Sequence, residues 1–74
     1  MSEYRITNRV REMRFFAHEM TQQELAERVG VTRQTIMAIE KGKYSPSLEV
    51  AFKIAQVFNQ PLDALFQYQC EIDR

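Results

Sequence analysis

The chain has 74 residues, and ten Lys and Arg balance ten Asp and Glu to give a net charge of zero. This length predicts one small domain. Two Gly, two Pro and 45% hydrophobic residues exclude a collagen-like or low-complexity chain. The single cysteine, Cys70, cannot form an internal disulfide, so we expect a reducing, cytoplasmic compartment. No apolar run approaches the roughly 20 residues of a membrane-spanning helix, and we expect no membrane partner and no secretory signal.

The charges are unevenly distributed along the chain. Residues 1–43 carry a net charge of +2, whereas residues 44–74 carry a net charge of −2. A basic patch on one face matters more for nucleic-acid binding than the total charge does. The zero total therefore does not exclude a nucleic-acid partner for the first half of the chain.

Apolar residues at helical spacing predict a first helix, and these residues are Ile6, Val10, Met13 and Ala17. This helix ends at the Phe15–Phe16 pair, and we expect one of the two rings in the core.

Two better-marked helices follow. The second begins at Thr21, whose spacing to Glu24 is that of a capping box, and it ends at Gly30. The third begins after Thr32 and ends at 41–42. The residues that we expect these two helices and their turn to bury are Leu25, Ala26, Val29, Val31, Ile36 and Ile39.

Ser47 is a natural N-cap for a fourth helix with a wide apolar face that includes Leu48 and Phe52. Pro61 can start a short fifth helix through Phe66. From Phe66 onward, apolar and polar residues alternate, which predicts a half-buried strand over 66–72. This strand needs a partner, which is the segment 3–6, the same strand of another chain, or both.

The second and third helices have the spacing of a helix-turn-helix. Ala26 is small where two steeply crossing backbones approach, and Gly30 supplies the turn conformation. On a helical wheel, Ile36 and Ile39 define the inner face of the third helix. The outward set is then Gln34, Met37, Ala38 and Lys41, with Arg33 at the flank. Such side chains can bond to base edges or contact a thymine methyl group.

Four runs of residues resemble the Cro/repressor-like (XRE) helix-turn-helix family: Thr21-Gln22-Gln23-Glu24-Leu25-Ala26, Val29-Gly30-Val31-Thr32-Arg33-Gln34-Thr35-Ile36, Ile39-Glu40-Lys41-Gly42-Lys43 and Ser45-Pro46-Ser47-Leu48. The resemblance covers roughly residues 5–66 and is closest to the small stand-alone regulators. It departs from the family in a longer connection before Thr21 and in Pro61, where many members have a Ser cap.

The resemblance implies an all-α fold, a five-helix repressor-like DNA-binding domain, to which the alternating tail adds a short C-terminal β-strand. The domain is expected over 1–66, with the helix-turn-helix at 21–41. The tail at 67–74 is expected to serve in pairing or dimerisation.

The resemblance also assigns roles to single residues. It agrees with the wheel in placing Arg33, Gln34, Met37 and Ala38 at base-reading positions. It implies that Gln22 contacts phosphate and braces Gln34, and that Arg14 and Glu40 form an ion pair between the first and third helices. The candidate phosphate contacts are Thr21, Gln22, Thr32, Thr35, Lys41, Lys43 and Tyr44.

The predicted function is that of a homodimeric, sequence-specific transcriptional repressor on a palindromic operator in double-stranded DNA. The expected dimerisation residues are Val50, Val57, Leu62, Phe66, Tyr68, Cys70 and Ile72. Two alternatives stay open: an antitoxin that uses the same domain and masks a toxin, and an interaction adaptor that does not bind DNA. We expect no enzymatic activity, cofactor or metal, because no catalytic arrangement and no metal-spaced cluster is present.

Overall fold

The computed structural model describes the backbone of residues 4–70 and the side chains of residues 6–69. The elements in this range are, in chain order, β1 Tyr4–Asn8, α1 Val10–Phe16, α2 Gln22–Val29, α3 Arg33–Glu40, α4 Leu48–Phe58, α5 Leu62–Leu65 and β2 Phe66–Cys70. The five predicted helices and the C-terminal strand are thus confirmed.

The two strands form an antiparallel sheet in which Ile6 lies opposite Tyr68 and Asn8 lies opposite Phe66. Pairing of the tail with the N-terminal segment is therefore confirmed within residues 4–70. The placement of Ile6 in the first helix was wrong. The side chain of Asn8 accepts a hydrogen bond from the Val10 N–H at 3.1 Å, so the helix begins only at Val10.

The aromatic pair at the end of α1 is exposed, and the expectation that one ring enters the core was wrong. On a seven-residue helix, Val10 and Met13 take the inner stripe, and Phe15 and Phe16 lie on other sides. The core space beyond α1 is filled instead by Met20, which follows a turn at positive φ.

The ends of α2 and α3 are set by local hydrogen bonds, as predicted. The Thr21 hydroxyl accepts from the Glu24 N–H at 3.0 Å, and the Glu24 carboxylate accepts from the Thr21 N–H at 2.8 Å. Gly30 ends α2 with φ of +87°. The Thr32 hydroxyl then accepts from the Thr35 N–H at 3.1 Å and begins α3. The helix-turn-helix is thereby fixed at both ends of its turn.

One core joins these helices to the rest of the fold. Its largest fully buried side chains are Leu25, Ile36, Ile39, Ile54, Leu65 and Val10. They come from all five helices, so each helix is held by residues far away in the sequence.

The fourth helix begins at its predicted cap, where the Ser47 hydroxyl accepts from the Val50 N–H at 3.2 Å. Ala51, Ile54 and Ala55 are buried, whereas Leu48 and Phe52 on the same helix are exposed. Its apolar face is therefore only partly covered by the side chains of residues 6–69. Within residues 4–70, no helix has the length and apolar character to cross a membrane.

We expect Gly30→Ala to lower the free energy of unfolding by about 1 kcal/mol, since an L-residue is disfavoured in the left-handed region. A Cβ at this position would meet no atom within 4 Å, so the cost is that of the backbone alone. Gly30→Asn is the matched control and should cost less, because Asn tolerates positive φ. Urea unfolding measures both, and equal losses would contradict this account.

Candidate nucleic-acid interface

A buried ion pair joins the first and third helices. The Arg14 Nε donates to Glu40 Oε2 at 2.6 Å, and Nη2 donates to Oε1 at 3.0 Å. The side chains are only 15% and 6% exposed. A third donor, Arg14 Nη1, bonds to the carbonyl of Met20 at 2.8 Å. The ion pair implied by the resemblance is thus present. Its bidentate geometry fixes the orientation of both side chains.

The same carboxylate also holds the start of α2. Gln22 Nε2 donates to Glu40 Oε1 at 3.1 Å, so Glu40 receives side chains from both α1 and α2. Among the described side chains, Gln22 bonds to Glu40 and not to Gln34, and its expected role of bracing Gln34 stays a prediction. A charged carboxylate is the stronger acceptor, which accounts for this choice.

The third helix has one buried and one exposed face. Ile36 and Ile39 are buried, whereas Arg33 and Gln34 are exposed at its first turn. Met37 and Ala38 are half-buried. The four predicted base-reading residues thus lie on one rigidly packed helix, and the two at its beginning have the most room to reach a ligand.

A polar cleft lies beside this face, at the N-terminus of α2. It has a volume of about 660 Å³, and its lining residues include Arg14, Thr21, Gln22, Gln23 and Arg33. The first turn of a helix leaves backbone N–H groups without acceptors inside the helix, and its dipole favours an anion there. Glu19 also lines the cleft, and the Arg14 guanidinium is already bonded to Glu40 and Met20. The groups there that can attract an anion are therefore Arg33 and the N-terminus of α2.

The remaining candidate phosphate contacts lie at the two ends of α3. The Thr32 and Thr35 hydroxyl oxygens are 3.0 Å apart at its beginning. Lys41, Lys43 and Tyr44 are exposed after its end. Gly42, with φ of +75°, turns the chain between the two lysines.

Asn8 is a positioning residue that the sequence reasoning missed. Its Nδ2 donates to the carbonyl of Ile39 at 2.8 Å, while its Oδ1 accepts from Val10. The Ile39 carbonyl also accepts from the Gly42 N–H at 3.0 Å, so Asn8 adds a second hydrogen bond there and ties the end of α3 to β1. No local pattern signals this bond, because 31 positions separate its partners.

The expected dimerisation residues occupy different environments. Four of them, Val50, Val57, Leu62 and Phe66, are half-buried against the chain's own core. Tyr68 is exposed. The side chain of Cys70 and the whole of Ile72 lie outside the described residues. Within the described part of the chain, no group of three or more His, Cys, Asp or Glu could hold a metal ion.

A helix-turn-helix family model matches residues 10–65, which is most of the chain. The chain belongs to the XRE-type helix-turn-helix family. This match spans α1 to α5 and includes every residue of the polar cleft and of the exposed face of α3.

Curated relatives support the same family. An uncharacterized HTH-type transcriptional regulator of Methanocaldococcus jannaschii is 56% identical over 52 residues, which cover 70% of this chain and 79% of that protein. One from Archaeoglobus fulgidus is 54% identical over 63 residues, covering 85% of this chain and 89% of the relative. The CTXphi cryptic phage transcriptional repressor RstR of Vibrio cholerae is 34% identical over 59 residues, covering 80% of this chain and 52% of the repressor.

The crystal structure of the transcriptional regulator VanUg superimposes with a TM-score of 0.73, covering 96% of this chain and 93% of that one. Its sequence identity of 22% means that it supports the fold alone.

We expect Arg14→Met to lower the free energy of unfolding by about 3–5 kcal/mol, because it leaves the Glu40 carboxylate buried without a cation. Adding Glu40→Gln in that background should restore part of the loss, although Glu40→Gln alone destabilises the native chain. Urea unfolding of the native chain, the two single variants and the double variant measures whether Glu40→Gln changes from destabilising to stabilising when Arg14 is replaced.

Arg9→Met is the matched control. Arg9 pairs with Glu12 at 2.8 Å, but both side chains are more than half exposed. An exposed pair contributes less than about 1 kcal/mol, so this variant should unfold almost as the native chain does. A loss from Arg9→Met as large as that from Arg14→Met would contradict the importance of burial.

Proposed function

We propose that this chain is a sequence-specific regulator of transcription that reads double-stranded DNA with the exposed face of α3. The observation that carries the proposal is the position of Arg33 and Gln34. Both are exposed on a helix whose opposite face, Ile36 and Ile39, is fully buried in the core. Side chains on such a helix enter a groove in a fixed orientation, which base recognition requires.

The residue types on this face suit the major groove. Arginine bonds to the two acceptors of guanine, and glutamine to the donor and acceptor of adenine. Met37 and Ala38 are apolar and can contact a thymine methyl group, which the major groove alone presents. Polar and apolar readers therefore stand side by side on two turns of one helix.

Phosphate contacts would fix the register of this helix on the duplex. The cleft at the start of α2 lies on one side of Arg33, and the exposed Lys41, Lys43 and Tyr44 follow the end of α3. Phosphate groups bound at these two places position the protein and carry no sequence information themselves. The preference for one DNA sequence then depends on the α3 residues that lie between these two phosphate-binding places.

We further propose that the regulator acts as a homodimeric repressor in the cytoplasm. Two copies of α3 related by a two-fold axis read two half-sites about 34 Å apart, which makes the operator palindromic. Repression fits the family because RstR, one of the relatives, is named as a repressor. A bound dimer can repress simply by covering the operator.

Selection from random duplex DNA tests the proposal. We expect an enriched half-site repeated with inverted symmetry, bound with an affinity that falls steeply as salt increases. Failure to enrich any sequence, together with binding that does not depend on salt, would end the proposal.

Two substitutions on the selected operator separate base reading from phosphate contact. Arg33→Ala should cost about 1–3 kcal/mol of binding free energy at one base pair and relax the choice there. Lys43→Ala should weaken binding to all sequences alike and reduce the salt dependence. Fluorescence anisotropy on matched and mismatched duplexes measures both effects.

Arg9→Ala is the control, because the Arg9 side chain is more than half exposed and Arg9 lies before α1, outside α2, α3 and α4. It should leave the affinity unchanged. If Arg33→Ala weakens specific and random duplexes equally, Arg33 does not read a base.

A further inference from the structure

An uncharged apolar surface lies beside the sheet. Its centre is a groove of about 170 Å³ lined by side chains of β1, the 41–47 loop, α4, α5 and β2. We call the apolar patch the set formed by Ile6, Pro46, Leu48, Phe52, Leu62 and Tyr68. Unlike the cleft at α2, it has no charged lining residue.

The patch is continuous because of the secondary structure beneath it. Ile6 and Tyr68 lie directly opposite each other in the sheet and therefore share one of its faces. Ile6 and Leu48 both line the groove. Phe52 is four residues after Leu48 on α4, so it extends the same helix face by one turn.

We propose that the apolar patch is the surface through which two copies of this chain associate, patch against patch. The inference deepens the proposed function, since a two-fold dimer is what a palindromic operator requires. The patch keeps Leu62 and Tyr68 from the sequence-based set of dimerisation residues. It adds Ile6, Pro46, Leu48 and Phe52, and it leaves out Val50 and Val57, which are partly buried against the chain's own core.

Charge favours a second copy as the occupant. In a two-fold interface the same surface meets itself, so any net charge on it is opposed by an equal charge. The patch contains no charged residue, and the neighbouring Glu49 and Lys53 neutralise each other at 3.3 Å. As far as residues 6–69 are concerned, two copies can thus meet here without repulsion and without burying an unpaired charge.

The exposed area also fits a dimer. Leu48 is 67% exposed, Phe52 51%, Tyr68 69% and Ile6 41%. With 150–250 Å² for a whole aromatic side chain, these four residues expose on the order of 400 Å². A stable interface buries about 800 Å² on each partner, with an apolar centre and a polar rim. The patch has the size expected of that centre.

The patch leaves the proposed DNA interface accessible. It shares no residue with the cleft at the start of α2 or with the exposed face of α3. A dimer formed through the patch therefore leaves the Arg33 and Gln34 side chains of both chains outside the set of residues that form the interface.

Sedimentation equilibrium of the full chain over a concentration series tests the proposal. The native chain should have the mass of two 8.8-kDa chains at high concentration. Leu48→Glu and Phe52→Glu should each raise the dimer Kd by at least about tenfold, because each places two like charges in the interface. Circular dichroism should show the native helix content in both, since both positions are exposed.

Phe16→Glu is the matched control. Phe16 is 76% exposed and apolar, but it lies on α1 outside the patch, so this variant should remain dimeric. A second test mixes Phe52→Glu with Phe52→Lys. Each variant alone should be monomeric, and the mixture should recover dimers if one patch faces the other.

A native chain that stays monomeric, or a Phe16→Glu variant that dissociates as readily as Phe52→Glu, would overturn the proposal. So would a Phe52→Glu variant with the native dimer Kd. Binding to duplexes with one half-site separates this proposal from the DNA-binding one. If the native chain is monomeric and still binds a duplex with one half-site, the patch proposal fails and the DNA-binding proposal stands. If the chain forms a dimer that depends on the patch but enriches no DNA sequence, the DNA-binding proposal fails and the patch proposal stands.

Discussion

The carboxylate of Glu40 is the point on which the arrangement of the first three helices depends. It lies at the end of α3, it is nearly fully buried, and it accepts from Arg14 on α1 and Gln22 on α2. A buried charge tolerates little displacement of its partners, because every lost hydrogen bond leaves it uncompensated. The angle between α2 and α3 is thereby set by hydrogen bonds as well as by the apolar core. The positions of the exposed residues of α3 follow from that angle.

Much of the fold is predictable because its signals are local. The hydroxyl groups of Thr21, Thr32 and Ser47 each cap a helix within three residues of their own position. Such bonds depend on a few neighbouring residues, so spacing alone is enough to find them. The first helix was predicted less well. The spacing of Ile6 to Val10 is helical, yet strand pairing with the tail decides the conformation of Ile6, and that pairing is a tertiary effect.

In the candidate site, too, some features could be predicted from the sequence and others depend on long-range contacts. The wheel of α3 correctly predicted that Ile36 and Ile39 are buried and that Gln34 and Lys41 are exposed, whereas Met37 and Ala38 are half-buried. The resemblance supplied the Arg14–Glu40 pair, which spacing could not have shown. Neither source predicted that Gln22 would bond to Glu40 or that Asn8 would reach Ile39, because these contacts join residues 18 and 31 positions apart.

The bond from Asn8 to Ile39 has a mechanical consequence. Asn8 ends β1, and two residues earlier the same strand carries Ile6 on the apolar patch. One short extended segment thus runs from the patch to the last turn of α3 and is bonded there. Substitutions in the strand therefore act on the end of α3 as well as on the patch, with every exposed side chain of α3 left as it is.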